Sequence, residues 1–65
     1  MKLYREGTLL RDCLGDLWMI ADHCKNPMFH SAGNHCYVMV RLKDQFRCSP
    51  VFRLVHLEYD LVTEA

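Results

Sequence analysis

Gly7-Thr8-Leu9-Leu10-Arg11-Asp12-Cys13 runs through Leu14-Gly15-Asp16 directly into Leu17-Trp18-Met19-Ile20-Ala21-Asp22-His23-Cys24. One longer connection later comes Cys36-Tyr37-Val38-Met39-Val40-Arg41-Leu42-Lys43. These segments decide the fold class. Each is a short run bounded by turn formers, the second rich in aromatic and branched residues, and so predicts a β-strand. Gly15-Asp16 marks a tight turn, because glycine frees the backbone and aspartate can bond the local chain. The stretch 36–43 alternates with period two. Cys36, Val38, Val40 and Leu42 are expected on the core face, with Tyr37, Met39, Arg41 and Lys43 opposite.

The rest of the chain extends the pattern. Leu17, Trp18, Met19 and Ile20 are consecutive apolar residues, which suits a strand covered on both faces. Lys25 to Asn34 is a loop, with the breaker pairs Asn26-Pro27 and Gly33-Asn34. It carries Met28 and Phe29, which either tuck back on the core or face a partner. Lys43-Asp44-Gln45 forms the next turn, and Phe46 to Cys48 opens a fourth strand. Ser49-Pro50 interrupts it, since proline lacks a ladder donor. Val51 to Val55 is expected to resume that strand, with Phe52 and Leu54 on one face. His56 to Val62 suits either a helical turn or a last short strand.

The expected fold is one all-β domain over residues 1–65: a small barrel or a curled antiparallel sheet of four to five strands, with a short C-terminal helical turn allowed. The runner-up is an α+β unit with a C-terminal helix on a three-stranded sheet. The segments Gly7-Thr8-Leu9-Leu10-Arg11-Asp12 and Gly15-Asp16-Leu17-Trp18-Met19-Ile20-Ala21-Asp22 make the chain resemble a small SH3-like β-barrel over residues 6–62. The aromatic peptide-binding motif of signalling SH3 domains is absent, as is the full glycine pattern of the KOW modules. The resemblance therefore implies an architecture and no particular ligand.

Composition narrows the classes of function. Eight basic and eight acidic residues balance, which argues against a partner held by bulk charge such as duplex DNA. Arg41, Lys43, Arg47 and Arg53 face Asp44 alone between residues 36 and 57, while Glu58, Asp60 and Glu64 follow without a base. No apolar leader or run of membrane-spanning length stands out, so a cytoplasmic chain outside the membrane is expected, with its four cysteines as thiols. A domain this small has marginal stability and gains from a partner subunit. A homodimer is therefore expected, through the outer Tyr37-Met39 stripe or a strand edge near Pro50.

The four cysteines fall 11, 12 and 12 residues apart, and His23-Cys24 and His35-Cys36 flank the long loop that holds His30. Zinc sites are usually built from C-x₂₋₄-C knuckles, and none exists here. Neighbours along a strand point to opposite faces, so each His-Cys pair offers one ligand to a given side. No metal and no cofactor are expected; Cys24, His30 and Cys36 would be the first place to look for a metal. A Cys24–Cys36 disulfide is sterically open but disfavoured in a reducing compartment.

No Gly-rich phosphate loop or nucleophile-base arrangement is present, so no enzyme is expected. Asp12, Asp16 and Asp22 read as turn and strand-end residues. Trp18 suits a core anchor, with an exposed binding hot spot as its rival reading. The expected function is that of a non-enzymatic intracellular binding module that docks on a protein. Its size suits a phage or mobile-element modulator of a host factor. The candidate contact residues are Tyr37, Met39, Arg41 and Arg53, with Met28 and Phe29. The competing class is a nucleic-acid-binding regulator using Arg41, Lys43, Arg47 and Arg53, with Tyr37 as a stacking platform.

Overall fold

The computed structural model describes residues 3–24 and 35–65. Five strands and one helix follow in order: β1 (Leu9–Arg11), β2 (Leu17–His23), β3 (Tyr37–Arg41), β4 (Arg47–Cys48), α1 (Phe52–Glu58) and β5 (Asp60–Thr63). The strands form one antiparallel sheet in the order β4-β3-β2-β1-β5. Of the two expected forms, the structure takes the open sheet. β4 and β5 are its edges, and it does not close into a barrel. The expected loop residues Met28, Phe29 and His30 lie outside the described residues.

Asp12 builds the β1–β2 turn. Its Oδ1 accepts the backbone N–H groups of Leu14 and Asp16, both at 2.9 Å. Gly15 sits at φ 86°, where a side chain would be strained. Asp12 Oδ2 accepts the Trp18 indole N–H at 2.8 Å, so one carboxylate fixes the turn and orients the tryptophan. Trp18 is 5% exposed, which places it in the core rather than on a binding surface. These bonds favour the ionised form and hold the Asp12 carboxyl below its usual range, the indole contributing most.

Of the segment expected to resume the fourth strand, Val51 bridges Cys36 in antiparallel fashion, but from Phe52 onward it is instead the start of α1. The residues 51–55 alternate in a way that suits a strand, but Phe52 and Val55 also stand three apart, one helical turn. Both are buried, and they cover the sheet. The Phe52 N–H, an orphan at the helix start, is taken by the His35 carbonyl, and Tyr59 N–H closes the other end on Val55 O at 3.1 Å. His56 to Val62 therefore divides into the end of a helix and a last strand.

The helix also corrects the facing of β3. Tyr37 and Met39 are fully buried and join Leu10, Trp18, Ile20, Phe52 and Val55 in the core cluster. Cys36 and Val40, expected inside, are 4% and 5% exposed, while Leu42 is 38% exposed. Period-two alternation separates two faces but does not say which of them a helix covers.

Candidate functional site

The residues expected to carry function are distributed very differently in space. Tyr37 lies at the centre of an aromatic and imidazole cluster under the sheet-helix junction. Its Oη accepts the Tyr4 backbone N–H at 3.0 Å and lies 3.2 Å from His56 Nε2. With Tyr4 already donating to that oxygen, the phenol proton can point at His56, which then carries its own proton on Nδ1. Tyr4 stacks on His56 with centroids 4.3 Å apart, and Phe52 packs the other way at 4.3 Å. Burial pushes the Tyr37 phenol up and His56 down; the positive N-terminus adds to the second effect.

Arg41 is half-buried. Its Nε and Nη2 bind the two oxygens of Asp44 at 2.9 and 2.7 Å. Its guanidinium lies over Trp18 at 5.4 Å and over Phe46 at 5.1 Å from the ring centroids. The guanidinium hydrogen bonds bring the Asp44 carboxyl down to about 2. Lys43 reaches Asp16 at 3.2 Å, so the basic stretch spends two of its four cations on local carboxylates. Arg47 and Arg53 remain exposed, the first on β4 and the second on α1. Of the six candidate contact residues, Arg53 is thus exposed, Arg41 is half-buried and ion-paired, and Tyr37 and Met39 are interior.

The two His-Cys pairs do approach each other, and they sort by type. A bulge between Ile20 and Asp22 shifts the alternation of β2, so His23 pairs with Tyr37 in register and shares its face. His23 Nδ1 then meets His35 Nε2 at 2.7 Å, and both rings contact Tyr37. The next residues, Cys24 and Cys36, are joined by a disulfide across a Cα separation of 5.2 Å. This corrects the expectation of four thiols. Antiparallel pairing brings these two Cα atoms within bridging range, and Cys24 N–H donates to Cys36 O at 2.9 Å. Cys13 and Cys48 stay free. Among the described residues no group of three or more His, Cys, Asp or Glu side chains is placed to hold a metal ion.

What sequence reasoning missed is a set of exposed apolar side chains. Leu14 is 81% exposed, Leu57 71% and Phe46 54%, with Leu54, Leu61 and Val62 between 41% and 46%. Leu54 and Leu57 share one side of α1, beside Arg53 and away from Phe52 and Val55. The signal was available once 52–58 was read at helical period: two apolar rows, of which the sheet buries one. Among the described residues no cavity opens and no helix is long and apolar enough to cross a membrane. Comparison with protein-family models, curated proteins and solved structures gives no match.

Proposed function

We propose that the chain is a small non-enzymatic module that acts by docking on another protein, and that the solvent side of α1 is its contact surface. The observation that supports this is the exposure of Leu54 and Leu57 beside Arg53 on a helix whose other row anchors the core. Adjacent exposed apolar side chains with an arginine beside them suit an apolar contact with a polar rim. Tyr37 and Met39 leave the earlier surface because they are interior; Arg53 stays in it. The same reading includes self-association and a role as modulator of a host factor.

The test is affinity capture from host extract with and without nuclease, using wild type and Leu57→Asp. The reading expects a defined protein that survives nuclease and is lost with Leu57→Asp. Capture of nucleic acid alone, lost when Arg41 and Arg53 are both changed to Ala, replaces it with the nucleic-acid reading.

A further inference from the structure

Among the described residues, an antiparallel sheet in the order β4-β3-β2-β1-β5 leaves two strands with one unpaired side each. On β4 the carbonyls of Phe46 and Pro50 point inward to Arg41 and Tyr37, and Cys48 pairs with Met39. Alternation then turns the backbone groups of Arg47 and Ser49 outward. β5 is exposed at every residue. Unpaired edges of this kind accept another strand unless they are blocked.

The two edges differ in charge. Arg47 stands on β4, whereas Asp60 opens β5 with Glu58 just before it. Among the described residues neither Arg47 nor Asp60 has an ion-pair partner. Each edge also shows apolar surface, Phe46 beside Arg47 and Leu61 and Val62 beside Asp60. Three edge-to-edge pairings of two copies are possible. Joining β4 to β4 brings Arg47 to its own copy. Joining β5 to β5 brings together two edges whose one strand charge is Asp60. Like charges facing across strands are unfavourable. All three pairings join apolar surface to apolar surface, but only β4 against β5 opposes unlike charges.

We infer that a second copy of this chain docks head-to-tail, the β4 edge of one copy on the β5 edge of the next. This gives the self-association proposed above a specific surface, and it is independent of the α1 docking surface. Such a joint is heterologous. It leaves one edge open at each end, so it propagates unless the rotation between copies closes a ring. The β4 edge is short, so the association is weak and is read at tens to hundreds of micromolar.

Sedimentation equilibrium across that range tests it. The weight-average mass of wild type is expected to rise steadily above the 7.7 kDa of one chain, without a plateau at two. It should fall back at about 1 M salt, where the Debye length is only about 3 Å. Arg47→Glu and Asp60→Arg should each weaken association about tenfold. An equimolar mixture of the two variants should restore it, because each reversed edge again meets its opposite. Circular dichroism of both variants checks that they keep the wild-type fold, and the wild-type salt titration decides the matter if either does not. A monomer at every concentration overturns the inference. So does a dimer plateau insensitive to salt, or a mixture that associates no better than its components. Each of these results leaves the Leu57 test of docking on a foreign protein untouched.

Discussion

Replacing Tyr37 probes the centre of the fold. The side chain is fully buried, and its hydroxyl links Tyr4, on the N-terminal segment, to His56 on α1. Tyr37→Phe keeps the ring contacts with Phe52, His23 and His35 and removes only that link. A buried hydrogen-bond partner left unsatisfied costs about 1–3 kcal/mol, and Tyr4 is only half-buried, so water can reach its N–H. The expected loss is therefore about 1–2 kcal/mol. Tyr37→Ala removes the ring as well, and core aromatic truncations cost about 3–5 kcal/mol. A domain of this length has only about 3–10 kcal/mol in total, so Tyr37→Ala should lose at least about a third of its stability. Urea titration followed by Trp18 fluorescence and far-ultraviolet circular dichroism measures both. The slope against urea should match wild type for Tyr37→Phe, since the surface exposed on unfolding hardly changes. An outward-facing Tyr37 would predict changes within about 0.5 kcal/mol for both variants. A Tyr37→Ala midpoint equal to wild type would refute the buried placement and with it the packing of α1 on β3.

Other expectations follow from separate parts of the molecule. Replacing Cys24 and Cys36 together by Ala, or adding reductant, should cost about 2–4 kcal/mol by freeing the loop they close, whereas Cys13→Ala should be neutral in the same titration. Burial lowers the pKa of His56, so the unfolded chain binds more protons than the folded one between the lowered value and 6.5. His56 therefore contributes a loss of stability as pH falls through that window and none above it. Comparing urea midpoints at about pH 7.5 and 5.5 should give a smaller difference for His56→Phe than for wild type; an equal difference would clear His56 of the effect. Gln45 holds φ 62°, so Gln45→Gly should stabilise by about 0.5–1 kcal/mol, and a loss would mean that its bond to the Leu42 carbonyl outweighs the backbone strain.

The strands were legible where the local chemistry is self-sufficient. β1, β2 and β3 each carry apolar residues between turn formers, with an aromatic in β2 and in β3, and Asp12 and Gly15 build their turn from residues only a few positions apart. The paired approach of His23-Cys24 and His35-Cys36 was also legible, since antiparallel neighbours joined by one loop must bring those ends together. The candidate surface was not. Its error came from residues 51–58, where alternate spacing and three-residue spacing coexist, and a strand reading hid both α1 and its exposed leucines. The same error put Tyr37 and Met39 outside, because the element that covers them was not recognised.

The sequence by itself determined an antiparallel β domain with a charge-neutral surface, and the places where its chain turns. These rest on residue type, on period and on bonds between near neighbours. Only the tertiary structure decided that Tyr37 and Met39 lie inside, because that depends on where a helix far along the chain packs. Tertiary pairing alone also decided that β2 changes phase at its bulge, setting imidazole against imidazole and sulfur against sulfur. The separation of Arg47 and Asp60 onto opposite edges of an open sheet is likewise set by strand order, which no stretch of the chain encodes locally.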